Sequence, residues 1–210
     1  MSDESPNSSL ASRRLGSRIA ATVRWLHIYL SMFGFATILL FSVTGITLNH
    51  PTWFGLDADR IDDVSGEIER EWLQSSADAA VDQLAIAEFL RSRHRLHGAV
   101  REFRVDEFEC FVSFKGPGYA ADAFIDRATG RYQLTVSQHG AVAVLNDLHK
   151  GRDTGRSWSL VIDLSAGLMG LSAVTGLVLL FYLKRRRVAG LVTALVGTVA
   201  IVAAYLWLVP

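Results

Sequence analysis

The chain has 210 residues, half of them hydrophobic, and its 21 basic and 21 acidic residues leave no formal net charge. The single cysteine, Cys110, excludes an internal disulfide and a thiolate zinc cluster. No Gly-x-Gly-x-x-Gly, Gly-x-x-x-x-Gly-Lys, Gly-x-Ser-x-Gly or His-Glu-x-x-His occurs, so nucleotide binding and hydrolysis have no candidate machinery.

In chain order, Met1 to Gly16 is rich in Ser and charge, which predicts a disordered tail. Trp25 to Leu48 is then apolar apart from small hydroxyls, Tyr29 and His27. Trp158 to Leu183 is similar, with Asp163 near its start, and Gly190 to Val209 carries no charge. About 20 apolar residues cross a hydrocarbon core of about 30 Å, and all three runs reach that length. Arg13, Arg14, Arg18 and Arg24 precede the first run, and Lys184 to Arg187 join the second to the third. Basic flanks remain on the cytoplasmic side, so the N-terminus is expected inside and the segment between the first two spans outside. Topology accounts for these cations more simply than nucleic-acid binding does. The first run begins like a signal peptide, but it is too long and lacks a small-residue cleavage site, which predicts a retained anchor.

Between the first two spans, Pro51 to Gln74 reads as acidic and irregular, with Trp53 and Phe54 at headgroup level. The spacing of Ala79, Ala80, Leu84, Ala87, Phe89 and Leu90 predicts a helix over 77–94. Val100, Phe103 and Val105 mark a strand, and Phe108, Cys110, Val112 and Phe114 alternate with Glu109, Phe111, Ser113 and Lys115 in another. Cys110 is expected to be a small packed side chain. Gly116-Pro117-Gly118 marks a turn, and two more strands are expected at 123–126 and 132–136, around Ala128-Thr129-Gly130. Ala141 to Lys150 carries Val142, Val144, Leu145 and Leu148, the pattern of a short amphipathic helix on the membrane surface.

The expected fold is an α-helical membrane protein with three transmembrane helices and a small α+β extracytoplasmic domain between helices one and two. The boundaries are a cytoplasmic basic tail over 1–24, a span over 25–50, the periplasmic domain and interfacial segment over 51–157, a span over 158–183, a cytoplasmic basic loop over 184–189 and a span over 190–210.

Ala85-Ile86-Ala87, a strand pair and Phe124-Ile125-Asp126-Arg127-Ala128-Thr129-Gly130-Arg131 together resemble a PepSY domain. Arg24-Trp25-Leu26-His27, Thr44-Gly45-Ile46-Thr47-Leu48-Asn49-His50, Asp147-Leu148-His149-Lys150-Gly151-Arg152, Trp158 to Asp163 and Thr175-Gly176-Leu177 resemble the PepSY-associated transmembrane helix family. The resemblance covers nearly the whole chain beyond its N-terminal tail. It implies a bacterial inner-membrane protein, because larger relatives are linked to iron uptake and some are haem-containing reductases of ferric siderophores. This chain departs from them in having three spans and one soluble module.

His50 and His149 bracket the outer segment and return to one membrane face. Two neutral imidazoles at one level of a helix bundle suit a haem iron or another metal; equally, interfacial histidines bond backbone carbonyls or headgroups. The resemblance implies the first reading, with haem b as cofactor and His50 and His149 as metal ligands. His27 is a further cofactor-binding candidate. On a straight helix it lies roughly 35 Å from His50, so the two cannot share an iron. A bis-histidine haem at His27 requires a second copy, a partner subunit or a different ligand, and the structural alternative is a polar contact with Arg24 or the second membrane helix. His27, Ser31, Gly34, Gly45 and Asn49 project close to one helical face. Asp163 is expected either to pair with Arg152 or Arg156 or to orient a ligating histidine. His94-x-x-His97 lies among Arg91, Arg93, Arg95 and Arg101 and reads as a solvated basic face, able to attract anionic lipid or a ferric chelate; His139 reads as a loop residue.

The function expected from the resemblance is membrane-bound, haem-binding electron transfer assisting ferric-chelate reduction, as a ferric-siderophore reductase or a component of one. The partners implied are the lipid bilayer, a quinol or protein electron donor, a ferric chelate and a second copy of the chain, and not nucleic acid. The alternative is a non-enzymatic, membrane-anchored PepSY module that binds a peptide or a partner subunit.

Overall fold

The computed structural model of the chain describes residues 6–53, 59–73 and 81–210. It contains helices α1 (Pro6–Phe33) and α2 (Phe35–Asn49), strand β1 (Arg60–Glu67), a single 3-10 turn (Arg70–Trp72) and helix α3 (Gln83–His94). Strands β2 (Ala99–Val105), β3 (Glu109–Gly116), β4 (Tyr119–Asp126) and β5 (Arg131–Gln138) follow, then helices α4 (Ala141–Lys150), α5 (Gly155–Tyr182) and α6 (Arg187–Leu208). The chain divides into two compact units, Met1–Ile38 with Asp163–Pro210, and Leu39–Ile162.

Helices α5 and α6 are each long and apolar enough to cross a membrane, and α1 from Arg14 qualifies together with α2 as a pair bent by 51°. The described residues thus hold two such helices, or three if the bent pair is one span. The single straight helix expected over 25–50 is interrupted at Gly34, between Phe33 and Phe35, where Thr37 donates its hydroxyl to the Gly34 carbonyl at 2.8 Å. Glycine beside hydroxyl side chains is a common site for such a bend. The tail expected to be disordered is instead helical from Pro6. Extending an existing helix by one residue is far easier than nucleating one, and proline suits its first position. Along these helices Ser165 and Thr175 of α5 and Thr44 and Thr47 of α2 are buried, while large apolar side chains such as Leu39, Ile46, Leu164 and Leu171 are exposed. Polar groups inward and apolar groups outward is the arrangement that lipid demands.

The extramembrane part, within the second unit, is an antiparallel five-stranded sheet of order β1-β5-β4-β3-β2. The alternation expected in β3 is present from Cys110 on: Cys110, Val112 and Phe114 are fully buried in a core shared with Ile86 and Leu90 of α3, whereas Phe108, expected on the same face, precedes the strand and is exposed. Burial raises the Cys110 thiol pKa, the condition of an inert packed cysteine. On the opposite face Phe111 meets Phe124 at 4.9 Å. Strand β1 falls inside the stretch expected to be irregular. It is a largely exposed edge strand carrying Arg60, Asp62, Asp63 and Glu67, so it has no apolar alternation to read. Phe54 and the expected helix start over 77–80 lie outside the described residues.

The Asp126-Arg127-Ala128-Thr129-Gly130 motif closes the β4–β5 turn. Asp126 Oδ1 accepts from the Thr129 amide (2.7 Å) and hydroxyl (2.8 Å), which hold its carboxyl below the usual range. Gly130 sits at φ 77°, and a Cβ there would stand 2.9 Å from the Ile68 carbonyl oxygen. Helix α3 stops at His94 because Arg95 turns into the left-handed region, so His94 and His97 do not share a helical face as an uninterrupted helix would have had them. The ring of His94 instead meets the Tyr132 hydroxyl at 2.7 Å, and a Cβ at Gly66 would collide with that hydroxyl.

Burial first, then the charge of Arg93, lower the His94 pKa from its ordinary 6.5, while burial raises that of Tyr132. A neutral ring therefore accepts the tyrosine proton. Between the folded pKa and 6.5 the unfolded chain binds more protons, so this contribution is complete above 6.5 and is lost as pH falls through the folded value. The thermal midpoint of the extramembrane domain is expected to fall on acidification below pH 6.5 and to fall less steeply in His94→Gln, as a pH series of melting curves would check.

Candidate functional site

His149 lies in the last turn of α4, the helix expected over Ala141–Lys150. Gly151 ends that helix in the left-handed conformation at φ 68°. Two contacts anchor its C-terminal end. Asp147, buried at 8% exposure, accepts the Gly118 amide on one oxygen (2.9 Å) and Arg152 Nε and Nη2 on the other (2.8 and 2.6 Å). Trp158 Nε1 donates to the Leu148 carbonyl at 2.8 Å, one of the acceptors that a helix end leaves unpaired. Held this way, His149 Nδ1 lies 2.6 Å from the Thr44 hydroxyl on α2, and its ring meets Phe41 edge-on at 5.1 Å. The Thr44 hydroxyl also lies 2.7 Å from the Leu40 carbonyl; when its one proton goes there, its oxygen accepts from Nδ1–H of His149. The Nε2 lone pair of His149 is then the free one.

His27 shows the same device in the other unit. Its Nδ1 lies 3.1 Å from the Ser172 carbonyl and 3.0 Å from the Thr175 hydroxyl on α5. A carbonyl can only accept, so Nδ1 carries the proton and Nε2 the lone pair. This is the contact with the second membrane helix that the sequence left as one alternative. Ser31 extends it, one turn on, with a 2.7 Å bond to Ser172. In both cases the threonine precedes a glycine that the ring overlies: Thr44-Gly45 under His149 and Thr175-Gly176 under His27.

His50 has other partners. Its ring stacks on Trp53 at 3.6 Å, and its Nε2 accepts from the Asn49 amide at 3.2 Å. His50 and His149 therefore share no hydrogen bond or ring contact among the described residues. Arg152 is engaged by Asp147, while Asp163 is exposed. His139 bonds Asp59 at 2.9 Å. Thr44, Thr175 and Asp147 were not singled out from the sequence. Their signal was their adjacency to Gly45, Gly176 and His149 in the quoted motifs, which spacing alone does not convert into contacts.

Among the described residues no three His, Cys, Asp or Glu side chains converge as a metal-binding group. A bare zinc ion needs three or four protein ligands, whereas haem iron takes only its axial ligands from the protein. The donor set, isolated imidazoles with oriented Nε2 lone pairs, fits haem. The cavity beside His149, about 50 Å³ and bordered by Leu40, Leu145, Leu148 and Trp158, is too small to enclose a porphyrin. The fit is to the axial position and not to a closed pocket.

Comparison with known proteins finds the family described as Putative PepSY_TM-like, matching residues 21–210. No curated protein and no solved structure matches.

The two glycines should respond oppositely to an added methyl. At Gly45 a Cβ would make an ordinary 3.7 Å contact with the His149 ring; at Gly176 it would press to 3.1 Å on the His27 ring, which two acceptors hold in place. Gly45→Ala is expected to gain up to about 1 kcal/mol of helix propensity. Gly176→Ala is expected to lose about 1 kcal/mol through overpacking. Thermal midpoints of the detergent-purified variants check the signs.

Proposed function

The chain belongs to the PepSY_TM-like family, and on that premise we propose that it is a membrane-bound, haem-binding electron-transfer protein that assists ferric-chelate reduction in iron uptake. One observation carries the reading. Twice, an imidazole is tied through Nδ1 to a threonine that precedes a glycine, and with the proton on Nδ1 the lone pair is left on Nε2. A hydrogen bond on the far nitrogen fixes the tautomer and raises the basicity of the ligating one. A bound haem supplies the one-electron chemistry. The chain's own residues set the rest: Thr44 and Thr175 orient the rings, and the apolar side chains around His149 exclude water. His149 and His27 are the ligands this geometry favours. His50, with its Nε2 engaged by Asn49, is favoured less. In the absence of a nucleotide motif, the electron donor in this reading is a quinol or a protein partner.

A second reading rests on the sheet. Its open face carries a groove of about 730 Å³ beside Phe108, Phe124, Glu67 and Arg131. A membrane-anchored module would use such a groove for an extended peptide or a partner subunit.

The absorption spectrum of the detergent-purified chain supplied with haem separates the two. The first reading expects a stoichiometric Soret band that falls by about half in His149→Ala and in His27→Ala, each of which empties one of two separate sites, and survives in His50→Ala. Thr44→Val should lower haem affinity by about tenfold or more through loss of the Nδ1 bond. Haem loss in His50→Ala together with an unaffected His27→Ala would restore the pairing of His50 with His149. A colourless parent protein would leave the binding module as the better account.

The proposed location is the bacterial inner membrane with the N-terminus cytoplasmic, supported by the cations before Trp25 and between α5 and α6. A reporter active only outside the cytoplasm should work when fused after Pro210 and fail after Arg187; the reverse pattern overturns the orientation.

A further inference from the structure

The extramembrane domain is charged unevenly, and its basic end is the end tied to the membrane helices. The Gly116–Gly118 turn marks that end: Gly118 donates to Asp147 of α4, and Tyr119 receives the His97 amide at 3.3 Å. Arg101 lies 3.7 Å from Asp153, two residues before α5 begins. Around this end Arg95, Arg101, Lys150, Arg152 and Arg156 are all exposed. Among the described residues, Asp147, buried, pairs with Arg152, and half-buried Asp153 with Arg101.

Two residues here hold left-handed backbone, Arg95 at φ 53° at the C-terminus of α3 and Asp153 at φ 56°, a conformation that glycine or asparagine normally fills. A side chain with Cβ costs about 1–2 kcal/mol there, so Arg95→Gly removes a cation while relieving strain.

We propose that these residues form a collar that binds the phosphate groups of anionic phospholipids at the bilayer surface. The cations come from separate segments and surround the entry to α5 without converging on one point. A surface of many phosphates satisfies such an arrangement; a single free phosphate does not. Arg156 lies in the first turn of α5, a helix long and apolar enough to cross a membrane, so the proposal sets the collar at the start of a span. Each cation near an anionic surface raises association about fivefold, and salt weakens the effect. The collar would hold the domain at the surface whatever chemistry the histidines perform.

The test is hydrogen exchange over residues 91–104 of the full chain, in nanodiscs of zwitterionic lipid and of zwitterionic lipid doped with phosphatidylglycerol. Anionic lipid is expected to slow exchange severalfold, the slowing to shrink at high salt, and Arg101→Lys to behave as the parent. Arg95→Gly should keep or raise the thermal midpoint in zwitterionic discs while losing up to about fivefold of the lipid-dependent protection. The triple variant Arg95→Gly, Arg101→Gln, Arg156→Gln should lose most of it. Equal exchange in both lipids, or parent-like protection in the triple variant, would overturn the proposal. So would inorganic phosphate reproducing the protection in zwitterionic discs, which would make the collar a soluble-anion site.

Discussion

The carboxylate of Asp147 is the constraint on which the second unit depends. One oxygen takes the Gly118 amide from the β3–β4 turn, and the other takes the fork of Arg152. The same contact fixes the sheet against α4 and orients the last turn of that helix, where His149 sits. Gly118 allows the approach: at φ 63° it has no Cβ, and one added there would collide with Val144. A largely buried charge of this kind needs all its partners, because leaving either side unpaired costs several times what a surface ion pair contributes. The position of His149 therefore depends on an acid two residues earlier in the chain and on a turn thirty residues earlier.

The second theme is how polar side chains are carried in apolar helices. Thr44 and Thr175 contact backbone carbonyls one turn back, and their hydroxyl oxygens also meet the imidazoles of His149 and His27, while Ser31 and Ser172 bond each other. In hydrocarbon an unpaired imidazole N–H would cost several kcal/mol. Both rings meet this need through Nδ1, and the glycines beside Thr44 and Thr175 make room for them.

Charge is the third. The end of the sheet nearest α4 and the start of α5 carries the exposed cations Arg95, Arg101, Lys150, Arg152 and Arg156, whereas on the open face the charges are mixed, with Glu67 paired to Arg131. Left-handed backbone occurs at Arg95 and at Asp153. The His94–Tyr132 pair, by contrast, joins α3 to β5 through a neutral ring.

Much of this was legible in the sequence, for physical reasons that differ by element. Lipid admits only long apolar helices or closed barrels, so α5 and α6 followed from composition alone. A half-buried strand must alternate, so Cys110, Val112 and Phe114 declared their face, and the Asp-x-x-Thr-Gly turn declared its own hydrogen bonds. The edge strand β1 did not, because an exposed strand needs no pattern, and the break at Gly34 lay in a run whose hydropathy is uniform on both sides. The histidines were visible as residues, but their partners were not. Which imidazole meets which threonine is decided by helices brought together across 105 residues for His149 and 148 for His27, and only tertiary packing determines that both of these rings bond through Nδ1 while Nε2 of His50 turns to Asn49 and its ring to Trp53.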